Sequence, residues 1–548
     1  MNNRLKRYIL SISSGLIMGI SWVEITNFFP LIFIALVPLL WIEDEITKKR
    51  YRSNKVYFHF FLAFFIFNLV STWWIYYSSP EGAIIAIVLS GMLIAFPFYF
   101  FHLTRKFIGD KEGYIAFVLY ILAYEWIDYR WSVSYPWLPF GNIFANVPDA
   151  VQWYEYTGIE GGTLWVLLVN LSVFFILKRI TENGFNFKTQ GKKIIGLITL
   201  ILVPILISNW IKINIDLGEN NEKATIVLSQ PNVDPYTKFG GRKKAIAQTK
   251  NILEVTKNTM DNTVDLILAP ETALPNSIRE SNLFYADEME IVRNFLQEYP
   301  NAQLLTGSST HEFFDKKNSS NSRKMKNGGY WEAYNTALLI DKNLNFETYH
   351  KSRLVPGVEK LPLQFITKYM ESWFDLGGAS GNLATEKEAK IFEIEKIKIA
   401  PTICFESIYG EYTSKFSLKG ANIIGIITND AWWHNHEKCK QENFPKNNNG
   451  TWHNTPGYRQ LLAYAKLRAI ENRKWIARSA NTGITCFISP TGEIVKKANW
   501  GESTSIKMDV PLLEGTTFYA KHGDYISRLA LFISSLLLLL TFVKKWKK

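Results

Sequence analysis

With 548 residues, 47% of them hydrophobic and 15% aromatic, the chain is long enough for two or more domains, and its net charge of +12 raises the question of a nucleic-acid partner. That charge collects in short connections between apolar runs, so it is explained by membrane topology and removes nucleic acid as a partner. Cys404, Cys439 and Cys486 are too few and too scattered for a disulfide framework or a zinc site.

Residues 1–215 are dominated by apolar and aromatic runs, whereas residues 220–512 have the mixed pattern of a soluble α/β domain. The first run, 8–23, follows Arg4, Lys6 and Arg7 as in a signal peptide, but no small-residue cleavage site follows and a second run comes at 28–42. Further runs occupy 56–78, 83–103, 114–128, 163–177, 194–211 and 526–543, each near the length a bilayer needs. About eight transmembrane helices are expected, or six if the first pair is a re-entrant hairpin. Taken alternately, the connections on one side hold 20 basic and six acidic residues, while those on the other hold Arg130 as their basic residue. The positive-inside rule then predicts both termini in the cytoplasm and residues 213–524 outside it, for eight spans or six. The expected domains are a polytopic membrane domain over 1–215, a catalytic domain over 220–512, and a last span with a basic tail over 525–548.

Two features of the membrane half stand apart. Glu125 and Asp128 end the fifth run, and an ionisable group at that depth is a functional candidate unless it meets water or Arg130, which is the expectation here. The following segment, Tyr135-Pro136-Trp137-Leu138-Pro139-Phe140-Gly141, joins rigid prolines to interfacial aromatics and suits either a lipid-entry site or the aromatic belt.

Beyond residue 212 the pattern predicts strands over 224–230, 265–270, 303–308, 335–341, 399–404, 422–428, 475–478 and 484–489. Helices are predicted over 243–259, 284–297 and 457–473. Alternating strands and helices indicate a layered α/β domain. Three polar residues stand at strand ends: Glu271 after Leu266-Ile267-Leu268-Ala269-Pro270, Lys351 after Tyr349-His350, and Cys404 after Ile399-Ala400-Pro401-Thr402-Ile403. Each alone has a bland reading, as a solvated Glu, a surface Lys or an inert core Cys. Together they complement one another, because a carboxylate can take the thiol proton, an ammonium can stabilise thiolate and oxyanion, and the thiol can attack a carbonyl.

In this chain order, Glu271, Lys351 and Cys404 resemble the Glu-Lys-Cys triad of the nitrilase superfamily. The likeness continues in Ser229-Gln230-Pro231-Asn232, Thr428-Asn429-Asp430-Ala431-Trp432, Arg468-Ala469-Ile470-Glu471-Asn472 and Arg478-Ser479-Ala480-Asn481-Thr482-Gly483. With the polytopic first half and a single C-terminal span, the chain looks like a member of the membrane-embedded apolipoprotein N-acyltransferase family. That resemblance implies a nitrilase-like α-β-β-α sandwich inserted before the last transmembrane helix and facing the periplasm of a bacterial inner membrane. It implies an acyl chain passed from a phospholipid to Cys404, as a thioester, and on to the amine of a diacylated apolipoprotein, with no cofactor and no metal. It also implies supporting roles for Glu359, Phe405 and Glu406, and a lid carrying Phe239 and Trp432.

Pro356-Gly357-Val358-Glu359 departs from the Pro-Phe-Gly-Glu order usual in that family, which puts the local turn in question. A polar insertion over 434–453 holds His434, His436, Cys439 and His453, whose spacing fits no standard zinc pattern and reads as a surface loop. Two other functions stay open at this point: an anchored amidase hydrolysing a small amide with the same triad, and a transporter or scaffold with an inactive nitrilase-like domain.

Overall fold

The computed structural model describes residues 3–235, 241–326, 328–360, 382–433 and 455–547. Two compact units divide the chain: Met1–Tyr76, Pro80–Ile215 and His522–Lys548 form one, and Tyr77–Ser79 with Asp216–Lys521 the other.

The first unit is helical, with main elements Asn3–Ser21, Val37–Lys48, Asn54–Thr72, Pro80–Phe107, Asp110–Asp128, Tyr154–Asn183, Phe187–Asn214 and Tyr525–Trp546. Among the described residues, five helical stretches are long and apolar enough to cross a membrane: Asn54–Tyr77, Pro80–Phe107, Tyr154–Asn183, Gln190–Asn214 and Tyr525–Trp546. Asn3–Ser21 carries three basic residues in its first turns, and Val37–Lys48 has only 12 residues. Glycine allows close helix contact: a Cβ on Gly91 would stand 3.1 Å from the Phe65 backbone, and one on Gly19 2.6 Å from Val70 Cβ.

Charge in the connections that close the apolar runs is buried, which hydropathy alone did not reveal. Glu43 accepts from His102 Nδ1 at 2.8 Å and pairs with Arg105, whose guanidinium also reaches Asp44 and Asp110 at 2.7 Å each. The expectation for Glu125 and Asp128 is corrected as well. Glu125 is buried and accepts from Phe140 N at 2.9 Å and Thr163 Oγ1 at 2.8 Å, while Asp128 accepts from Trp131 Nε1 at 3.0 Å and Tyr135 N at 3.2 Å. Backbone N–H groups must find acceptors where water is scarce. The two carboxylates therefore tie down the Tyr135 to Gly141 segment, and Arg130 reaches Asp524 at 2.8 Å.

The second unit holds two sheets. β1 (Lys223–Gln230), β2 (Leu266–Leu268), β3 (Leu274–Arg279), β4 (Gln303–Phe314), β5 (Arg323–Lys324), β6 (Tyr330–Ile340) and β7 (Phe346–His350) join the strand Thr504–Pro511, β14, in the first. Its order is β14-β1-β2-β4-β6-β5, with β3 on β4 and β7 on β6. The second sheet runs β13-β12-β11-β10-β9-β8. Its strands are β8 (Phe392–Ile394), β9 (Ile397–Ile403), β10 (Ile423–Thr428), β11 (Ile476–Ala480), β12 (Cys486–Ile488) and β13 (Ile494–Lys497).

Side chains alternate across a strand, so the first sheet has two apolar faces. Val227, Ile267, Leu304 and Leu338 share a core with Ile252, Met289, Val292 and Leu296 of helices Arg242–Lys257 and Asp287–Glu298. The opposite face meets the second sheet, where Ser479 Oγ donates to Ser229 O at 2.8 Å and a Cβ on Gly425 would lie 3.3 Å from Leu268. Helices Gly410–Leu418 and Pro456–Asn472 form the remaining layer, joined by Ser417 Oγ to Asn472 Oδ1 at 2.9 Å.

Candidate active site

Parallel pairing of β9 and β10 brings Cys404 and Asn429 to one end of their sheet, and β2 delivers Glu271 to the same place. Glu271 sits three residues past β2, before Thr272 at φ +51°. Gly307 makes this turn possible, since a Cβ there would stand 2.6 Å from Glu271 Cα. Lys351 follows β7, held by its backbone N–H to Asn335 O at 2.8 Å.

Cys404 ends β9 with a left-handed φ of +49°, a conformation costly for a residue other than glycine and common at functional sites. It opens a 3-10 turn, Cys404–Ile408, that is buried throughout. Glu406 fixes that turn: Oε2 accepts from Ile403 N at 2.8 Å, and Oε1 accepts from Ser352 N at 2.6 Å and Tyr349 OH at 2.8 Å. One carboxylate thereby locks the segment after Lys351 to the segment bearing the thiol. Burial pushes the Glu406 carboxyl up to about 7, against the pull of these donors.

Lys351 Nζ lies 3.1 Å from Glu271 Oε1 and 2.7 Å from Glu359 Oε1, fully buried. Asn335 Nδ2 bridges the same two carboxylates at 2.8 and 3.2 Å, and Asn429 N donates to Glu271 Oε2 at 3.1 Å. The unusual turn before Glu359 closes well, because Gly357 takes φ +91°, its N–H donates to Lys360 O at 2.8 Å, and Val355 N donates to Glu359 Oε2 at 2.8 Å. Glycine at that position supplies the left-handed bend, so the altered order still returns the carboxylate to Lys351.

Burial opposes the charge on Lys351, but Glu271, Glu359 and Cys404 outweigh it and hold its pKa well above the ordinary lysine value. Burial pushes the Cys404 thiol above its ordinary value, Glu271 adds to this, and Lys351 and Thr428 pull it back. The resting site is thus a neutral thiol beside an ammonium held by two carboxylates. Moving the proton from Cys404 to Glu271 leaves the net charge of this group unchanged, which suits a dry site where creating charge is costly.

Phe405 is buried in the Cys404–Ile408 turn, and Trp432 lies half-buried in the 3-10 turn Asp430–Trp433. Phe239 and the insertion 434–453 lie outside the described residues. The other motifs form scaffold: Arg468 binds Ile408 O at the end of the Cys404–Ile408 turn, and Arg478 pairs with Asp430 at 2.5 Å, both fully buried. Arg478→Met strands the Asp430 carboxylate, so unfolding experiments should show a loss of about 3–5 kcal/mol. Sequence reasoning missed Asn335, whose signal is a polar amide inside a strand, where asparagine is disfavoured.

Comparison with known proteins now adds to this geometry. A family model described as carbon-nitrogen hydrolase matches residues 243–517. The chain belongs to the carbon-nitrogen hydrolase family. In this member the hydrolase fold is preceded by a second match, over residues 14–172, to the apolipoprotein N-acyltransferase N-terminal domain. A protein named apolipoprotein N-acyltransferase from Chlorobaculum tepidum is 28% identical over 551 residues, covering 98% of this chain and 97% of its own. Apolipoprotein N-acyltransferase 1 of Treponema denticola is 27% identical, covering 95% and 93%. Among solved structures, an amidase from Nesterenkonia sp. is 12% identical, with a TM-score of 0.36 and coverage of 56% of this chain and 97% of its own.

Proposed function

We propose that this carbon-nitrogen hydrolase fold transfers a fatty acyl chain from a phospholipid to the N-terminal amine of a diacylglyceryl-cysteine apolipoprotein. The observation that carries the reading is the buried Glu271–Lys351–Glu359 cluster around a strand-end thiol, in a chain that also has helices apolar enough to cross a bilayer. Relatives of nearly the same length named as apolipoprotein N-acyltransferases support it.

Glu271 removes the Cys404 proton as sulfur attacks the ester carbonyl, while Lys351 and the Phe405 N–H stabilise the oxyanion. Glu271 returns the proton to the departing lysophospholipid oxygen, leaving a thioester on Cys404. The acceptor amine then attacks that thioester, Glu271 takes the amine proton and hands it to the leaving thiolate, and an amide remains. The two substrates thus react in turn, in a ping-pong sequence. Glu359 neutralises part of the Lys351 charge, and Glu406 fixes the turn. A lid bearing Phe239 and Trp432 would keep water from the thioester.

The topology belonging to this reading has about eight spans, of residues 1–215 and 525–548, in a bacterial inner membrane. Both termini are cytoplasmic, and the catalytic domain, 220–512, is periplasmic and inserted before the last span. The basic connections support that orientation. Purified full-length protein given acyl-labelled phospholipid and a diacylated lipopeptide should move label onto the lipopeptide amine and release lysophospholipid. Transfer of label to water, with hydrolysis of small amides, would identify an amidase instead.

A further inference from the structure

Beyond Gly307, β4 and β6 continue as a long antiparallel hairpin paired as far as Phe314 and Tyr330. At about 3.3 Å per residue its tip lies some 20 Å past the Glu271 turn. Phe313, one residue before the last pair of the hairpin, is 40% exposed. Arg279 lies over the Phe313 ring at 4.9 Å, and Arg323 over Trp331 at 4.8 Å.

Charge at the tip is one-sided. Lys316, Lys317, Arg323, Lys324 and Lys326 face a single acid, Asp315. The flanking carboxylates are occupied locally: Glu312 accepts from Arg279 Nε at 2.9 Å and Ser281 N at 2.8 Å, and Glu332 accepts from Ser322 Oγ at 2.5 Å and Tyr334 OH at 2.6 Å. Aromatic side chains set among lysines and arginines suit a headgroup layer, where rings enter the interface and cations meet anionic phosphates.

We propose that the tip of the β4–β6 hairpin binds the headgroup surface of an anionic phospholipid bilayer. This goes beyond the transfer reaction and is read without turnover. Full-length protein, one copy per nanodisc, is compared in phosphatidylglycerol and phosphatidylcholine by hydrogen exchange. Peptides covering the tip should exchange on the order of tenfold more slowly in phosphatidylglycerol, with the difference lost in high salt and in Lys316→Glu/Lys317→Glu. Equal exchange in the two lipids, as expected if the tip docks on a protein or stays in solution, would overturn the proposal. The lipid comparison on the unmodified protein stands even if the variant misfolds.

Discussion

Cys404→Ala, given phospholipid labelled in its acyl chain, is expected to retain no label after denaturation, whereas the unmodified protein retains label that hydroxylamine removes. Turnover should fall by on the order of 10⁴-fold or more, as for the loss of any nucleophile acting within a catalytic unit. The fold should survive, because the alanine methyl is smaller than the thiol and Glu406 holds the turn through Ile403 N and Ser352 N. Cys486 offers no replacement: it is fully buried within β12. An undiminished thioester in this variant would remove the proposed mechanism, and intact-mass detection of a fatty-acyl adduct on Cys404 would carry it directly.

Strands that are apolar throughout were legible in the sequence because burial on both faces leaves an uninterrupted run. Residues 423–428 of β10 are all buried and fall within the predicted 422–428. β3, with Pro275, Asn276 and Ser277, and β7, with Glu347, Thr348 and His350, lack that signal, and each is held by pairing to one neighbour. Glu271, Lys351 and Cys404 could be read from their types and strand-end positions. What could not be read is how they are arranged: Asn335 bridging two carboxylates, Asn429 donating through its backbone, and Glu406 joining two segments all depend on pairing between distant strands. The membrane half shows the same limit. Hydropathy locates helices, but it cannot tell that Glu43 and Arg105, just past two apolar runs, and Glu125, within one, are buried against partners on other helices or loops.

Glu271→Gln and Lys351→Met should each lower acyl-enzyme formation by several orders of magnitude, with opposite pH signatures. In the unmodified site, burial and Glu271 both push the thiol pKa up while Lys351 pulls it down. Glu271→Gln removes a raising charge and the proposed base, so residual activity should climb with rising pH as the thiolate forms without help. Lys351→Met removes the lowering charge, driving the thiol pKa higher, so residual activity should stay flat across the same range. Methionine also leaves Glu271 and Glu359 facing each other without their cation, at a cost of about 3–5 kcal/mol in stability. Melting curves therefore accompany the rates, and measurements are made below the variant's transition. Putting both substitutions in one chain should cost little more than the worse single one, because in the proposed mechanism base and cation serve the same proton transfer and the same oxyanion. Costs that add in full, or a pH profile that rises in Lys351→Met, would show that the lysine acts on the fold and not on the thiol.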